Sequence, residues 1–389
     1  MKKTLVATAL LGLCASHQAF ATEETQELRQ VIEQQQKVLQ DLEKRLAETE
    51  ERLEKTADTL DASATNKGAT TIGGYGELHY NNISDNLSGK DKKQMDFHRF
   101  VLFFGHEFSD STRFFSEVEV EHVISSSDAK GEVELEQAYI EHDFNDTFTG
   151  KAGLFLIPAG IMNETHEPPA FYGVERNPVE KDIIPATWWE GGVALNIKAA
   201  PGLAFDTSIT SGLNVGEDYK IRGGRQKVSE AVAEDLAYSA RVKYTAIPGL
   251  ELAATAIYQS DLTQGRANVD TASATLLTAH AIYSTQGFTV KALYAQWDID
   301  GQEAKALGRD KQEGYYIEPS YRINDNFGVF ARYNAWDNNA GDDADTEITQ
   351  TNFGVNYWLH ENVVFKADYE IVGGAKDADG FNLGVGYQF

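Results

Sequence analysis

From about Gly68 to the last residue the chain alternates apolar and polar side chains with period two. Leu236, Tyr238, Ala240, Val242 and Tyr244 alternate with Ala237, Ser239, Arg241, Lys243 and Thr245, and the form recurs at 315–323, 327–333, 351–359 and 363–371. Such alternation sends successive side chains to opposite faces of a β-strand. Counting from Thr71 gives about sixteen runs of roughly ten to fourteen residues, near the length a tilted strand needs to cross a bilayer. The most regular run is the last, FNLGVGYQF: Phe381, Leu383, Val385, Tyr387 and Phe389 share one face, and Asn382, Gly384, Gly386 and Gln388 the other. This closing strand is expected to pair with the first, near Ile72–Gly76, so that no edge is left unsatisfied in lipid.

The connections sort by parity. Short ones near 109–110, 145–146, 200–201, 247–248, 286–287, 324–325 and 360–361 alternate with longer ones near 83–94, 125–130, 159–184, 214–234, 260–272, 299–311, 338–346 and 373–379. One rim therefore carries tight turns and the other carries loops, as in outer-membrane barrels; a Greek-key sandwich would not sort its loops this way. The predicted fold is all-β, a sixteen-stranded antiparallel transmembrane β-barrel over 71–389.

The N-terminal part follows other rules. Lys2 and Lys3 precede an apolar stretch from Leu5 to Leu13, and Ala19-Phe20-Ala21 has the small-x-small form of a signal-peptidase site, so 1–21 reads as a cleaved export signal. Over 22–62, Ile32, Leu39, Leu46, Leu53 and Leu60 hold every a position of a heptad, while d reads Leu28, Gln35, Leu42, Thr49 and Thr56. That predicts an α-helical coiled coil whose half-polar d positions do not choose between two and three strands. With 63–70 as linker and the chain entering at the short-turn rim, the coiled coil would lie in the periplasm.

Charge and composition narrow the classes. The net charge of −26 becomes about −28 once Lys2 and Lys3 are removed, which excludes nucleic acid as a partner because phosphate binding needs basic patches. Cys14, the single cysteine, falls in the signal, so neither disulfides nor a thiolate metal cluster is expected. A mean hydropathy of −0.40 reads as soluble, but barrel strands hide their membrane signal in alternation. His166-Glu167 lacks the second histidine of a zinc-protease helix, and Asp298-Ile299-Asp300-Gly301 and Asp342-Asp343-Ala344-Asp345 lack EF-hand spacing. No Ser/His/acid cluster can be assembled; the expectation is a protein without catalytic residues, cofactor or metal.

The opening GGYGE at 73–77, the segment AGIMNETHEPPAFYGVERNPVEKDIIPATWWEGG at 159–192 and the terminal Phe389 resemble the phosphate-selective porin O and P family of bacterial outer membranes. The resemblance spans roughly 70 to 389. It implies a homotrimer of sixteen-stranded barrels passing ions and small hydrophilic solutes, anions such as phosphate among them, with residues 159–184 as an inward-folded constriction loop. It also implies that a terminal aromatic strand with Tyr387 and Phe389 is read by the barrel assembly machinery, with lipid and lipopolysaccharide around the outside.

Taking the polar face of each strand as inward gives the expected pore lining. Glu117, Glu119, Glu121, Glu134 and Glu136 form an acidic wall, and Arg241, Lys243, Lys291, Arg322, Arg332 and Lys366 a more basic one. The loop contributes Glu164, Glu167, Glu175, Arg176 and Glu180, whose acids are expected to face the basic wall and set up a transverse field. Net charge predicts a cation preference, against the anion preference that the resemblance implies. An alternative is an envelope-tethering barrel whose coiled coil reaches toward the cell wall.

Overall fold

A computed structural model describes residues 69–126 and 129–389. The export signal, the heptad segment and nearly all of the linker lie outside the described residues. Sixteen antiparallel strands close into one barrel. They are β1 (Thr70–Asp85), β2 (Lys92–Ser109), β3 (Thr112–Glu121), β4 (Val133–Asp143), β5 (Phe148–Leu156), β6 (Trp189–Ala200), β7 (Leu203–Thr210) and β8 (Ala237–Tyr244). The second half comprises β9 (Leu250–Gln259), β10 (Ser273–Thr285), β11 (Phe288–Asp300), β12 (Lys311–Arg322), β13 (Phe327–Asp337), β14 (Ile348–His360), β15 (Val363–Gly374) and β16 (Ala378–Gln388).

Closure follows from the need to satisfy every backbone polar group in lipid. Tyr75 through Asp85 pair with Gln388 back to Ala378, and Phe389 and Gly74 exchange backbone hydrogen bonds of 2.8 and 2.9 Å. Outside, Leu277, Phe353 and Ile371 are about half exposed, while their neighbours Leu276 and Asn352 turn inward and are buried. Two bulges adjust the lumenal face: one opposite Glu77 and Leu78, which leaves His98 of β2 as an extra residue, the other opposite Glu117 and Val118, which leaves Glu136 of β4 as an extra residue beside Gln137.

One assumption of the sequence reading is corrected here. The inward faces of β9 to β13 are not polar throughout: Ile257, Leu276, Leu293, Trp297, Ile299 and Trp336 point inward and form an apolar core with Ile157, Ile161, Val179, Ile183 and Trp188. The reason is the β5–β6 connection, residues 157–188, which folds into the barrel and buries its apolar side chains there, so these strands carry oil on both faces. The connection contains a 3₁₀ turn at Pro168–Ala170 and one short helix, α1 (Pro178–Asp182), capped by the Asn177 side chain accepting from the Glu180 amide at 2.9 Å.

Candidate functional site: the lumen and its crossing loop

Residues 157–188 cross the lumen and are fastened on every side. At the start, Pro158 accepts a 2.9 Å hydrogen bond from Thr255 of β9. Glu164 pairs with Arg241 of β8, whose other partner is Asp206 of β7 at 2.8 Å. His166 faces Glu117 and Glu136 at 3.4 and 3.6 Å. Farther along, Lys366 of β15 donates to the Gly173 carbonyl at 2.9 Å and lies 3.5 Å above the Phe171 ring; Asp368 accepts from the Val174 amide at 2.7 Å. Glu175 accepts from Asn81 of β1 at 2.9 Å and meets His79 at 3.2 Å. Trp297 of β11 donates to the Ile183 carbonyl at 2.8 Å.

This arrangement differs from the transverse field. Of the loop acids expected to face basic strands, Glu164 does so through Arg241, whereas Glu175 turns to His79 and Asn81. Glu180 folds back, accepting from the Ile161 and Met162 amides at 2.7 and 2.6 Å and from Tyr316 at 2.7 Å. Glu167 heads the 3₁₀ turn, its carbonyl accepting from Ala170 at 2.9 Å. The physical reason is that a buried carboxylate takes whichever donors the local backbone offers, and a loop's own turns supply amides closer than an opposite wall.

The wall residues distribute unevenly. Glu117, Glu119 and Glu136 are buried beneath the loop, and Arg99 of β2 ion-pairs with Glu77 at 2.7 Å and Glu119 at 3.4 Å. Glu121 and Glu134 line an outer chamber. Arg332 pairs with Glu318 at 3.2 Å, Lys243 pairs with Glu251 at 3.0 Å, and Lys291 stands opposite Glu318 in register. Arg322 lies over the Trp358 ring at 3.5 Å beside the β12–β13 turn. Tyr387 and Phe389 stack at the short-turn rim, with Phe389 exposed.

Two chambers of about 290 Å³ each lie on either side of the loop. The inner one, toward the short turns, is lined by Arg113, Lys151, Lys198 and Arg241 against Glu141, Glu164 and Asp206. The outer one is lined by six cations, Arg99, Arg176, Lys181, Arg222, Arg225 and Lys227, against five carboxylates, Glu77, Glu121, Glu132, Glu134 and Glu175. Both linings are thus net positive by one without the histidines. Among the described residues, further acids are exposed on loops, such as Asp218, Asp342, Asp343, Asp345, Glu347 and Asp377.

Sequence reasoning missed five of the outer cations: Arg99 of β2, Lys181 and three residues of the β7–β8 connection. Arg222 donates to the carbonyls of Lys181 and Ala186 at 2.8 and 2.7 Å, and Arg225 to that of Thr187. Among the described residues neither has a carboxylate within ion-pair distance. Burial, then the charge of Arg225, pushes Arg222 down to about 9, still charged at neutral pH; burial lowers Arg225 and Lys181 as well. Lys227 instead pairs with Glu132 at 2.8 Å and with Glu134. Irregular loops carry no periodicity, so spacing offered no signal for Lys181, Arg222, Arg225 and Lys227; Arg99 lies on β2, next to the register shift at His98. The cluster of Asp96, His98 and His122, with His98 stacked on His79 at 4.8 Å, was not singled out from the sequence either.

A family model described as Gram-negative porin matches residues 56–374. An uncharacterised protein of Aquifex aeolicus (strain VF5) is 29% identical over 357 residues, covering 83% of this chain and 80% of its own. Among solved structures, an anion-selective porin from Comamonas acidovorans superposes with a TM-score of 0.61 at 11% identity, over 83% of this chain and 100% of that one. The trimer form of OmpT, an outer membrane protein of Vibrio cholerae, gives 0.55 at 12% identity, over 83% and 100%. At such identities the two structures speak for the fold, a closed barrel crossed by strands. With the family model spanning most of the sequence and the barrel closed as its pattern requires, the chain belongs to the Gram-negative porin family.

Proposed function

We propose that this porin assembles as a homotrimer in the outer membrane and passes ions and small hydrophilic solutes with a preference for small anions. Membership of the family makes the chain an outer-membrane channel for passive diffusion. The finer reading rests on one observation: the chamber linings on both sides of the crossing loop are net positive although the chain is strongly acidic.

Ion preference in a wide pore follows the charges within a Debye length of the permeating ion, about 10 Å at 0.1 M salt, and not the sum over the molecule. Arg222 and Arg225 matter most here. They are held by carbonyl oxygens, which orient a guanidinium without cancelling its charge. An entering anion supplies the counter-charge that burial has withheld. The cation preference suggested by net charge is therefore set aside, because the chamber linings stand nearest the permeating ion and are net positive. The N-terminal segment, in this reading, extends or clamps the trimer on the periplasmic side, and the strand ending in Tyr387 and Phe389 serves recognition during assembly.

The test is the reversal potential of the purified protein in a planar bilayer under a KCl gradient. A potential on the chloride side supports the anion reading, and phosphate that reduces chloride current would place phosphate among the solutes. A potential on the potassium side overturns it.

A further inference from the structure

Three buried side chains from separate elements aim one atom each at a common point. Glu117 of β3 and Glu136 of β4 are each 1% exposed, and His166 of the crossing loop is 3% exposed. The remaining atom of each is already occupied. Glu117 Oε2 accepts from Gln137 at 2.7 Å, Glu136 Oε1 accepts from the Thr187 hydroxyl at 2.9 Å, and His166 Nδ1 lies 3.2 Å from the Asn163 carbonyl. A carbonyl oxygen only accepts, so Nδ1 carries a proton and the lone pair of the neutral ring is on Nε2.

The facing atoms are then Glu117 Oε1, Glu136 Oε2 and His166 Nε2; among the described residues none has a hydrogen bond, and Nε2 meets the two carboxylates only at ion-pair distance. Nε2 stands 3.4 Å from the first and 3.6 Å from the second, and all three lie within 4.8 Å of one another. Ligands bound at about 2.0–2.1 Å in a tetrahedron are separated by roughly 3.3–3.4 Å along each edge, so these spacings leave room for an ion between them. The occupied atoms match what metal sites require of their surroundings: the ring N–H given to a carbonyl, and each carboxylate turned by a donor to its other oxygen. Charge agrees. Arg99 is engaged by Glu77 and Glu119, and Arg176 donates to the Thr187 hydroxyl at 3.4 Å, so no arginine ion-pairs with Glu117 or Glu136 among the described residues.

We propose that Glu117, Glu136 and His166 bind one divalent transition-metal ion of the zinc class, which fastens the crossing loop to the acidic wall. One imidazole with two carboxylates is a borderline donor set suited to Zn²⁺ rather than to Ca²⁺ or Mg²⁺, which take oxygen alone.

Chelator-treated, purified porin would be titrated with Zn²⁺ by calorimetry. One ion per chain is expected, with affinity at least 10-fold weaker in His166→Ala and in Glu136→Gln. His122→Ala, which breaks the separate Asp96, His98 and His122 cluster, should leave that ion in place. Absence of binding by the unaltered protein overturns the proposal, as does binding lost in His122→Ala and kept in His166→Ala. Should the site variants fail to form barrels, Co²⁺ added to the unaltered protein decides: intense visible bands of a four-coordinate ion support the site, and only the weak bands of hexaaquo Co²⁺ overturn it.

Discussion

Gly386 of the closing strand lies directly beneath Pro168 of the crossing loop: a Cβ built on the glycine would stand 2.3 Å from the proline Cβ. Two residues earlier, a Cβ on Gly384 would meet Val174 at 3.0 Å. The small residues of FNLGVGYQF thus reserve room for loop backbone. Gly386→Val should push the loop off β16, raise single-channel conductance and lower barrel stability by about 1–3 kcal/mol, the ordinary cost of overpacking. Unchanged conductance in a correctly assembled variant would mean that the loop is not seated there.

Arg241 holds the loop from the other side, shared between Asp206 and Glu164 while itself 8% exposed. Arg241→Gln should shift the reversal potential toward cations by leaving both acids of the inner chamber uncompensated. Glu164 is partly solvated, so the stability cost should be about 1–2 kcal/mol, below that of breaking a fully buried pair. The double variant with Glu164→Gln should recover part of both effects, since residues in contact are not additive. Equal and additive shifts would indicate that the two side chains do not act together.

Arg222 and Arg225 act by charge but are held through backbone carbonyls, which allows the two roles to be separated. Arg222→Gln with Arg225→Gln should reduce anion preference in 0.1 M KCl, and the reduction should shrink at 1 M, where the Debye length falls to about 3 Å. The paired Lys replacements keep the charge with a poorer fork, so they should retain most of the preference while loosening the β7–β8 connection. Loss of selectivity in the Lys pair as well would assign these residues a structural role only.

The barrel was legible because its physics is periodic. Lipid outside and water inside impose period two, and the tight-turn rim fixes parity, so strand number, loop order and the pairing of Phe389 with the first strand all follow from pattern. The seating of the loop was not legible, for three reasons visible in particular residues. The bulge that frees Glu136 cannot be seen in composition. The inward apolar positions at Leu276, Leu293 and Trp297 read as strand noise until a loop is known to cover them. Arg222 and Arg225 sit in irregular chain, where side-chain direction depends on tertiary contacts alone.

Lys227 gives a pH-dependent counterpart to the arginines. A hydrogen bond with Glu134 and the ammonium of Lys227 hold the Glu132 carboxyl down at about 2. A depressed carboxyl contributes its stabilisation above its unfolded pKa, near 4.3, and loses it as pH falls through the folded value. The tie from the β7–β8 connection to Glu132 should accordingly persist at pH 4 and weaken toward pH 2, leaving Lys227 with Glu134 alone and its charge less compensated in the outer chamber. Glu132→Gln should remove the same negative charge at neutral pH, raising anion preference there and flattening its further rise in acid. Bilayer reversal potentials measured from pH 7 to pH 2.5 check this, and a variant indistinguishable from the unaltered protein across that range would show that Lys227 does not govern the outer chamber.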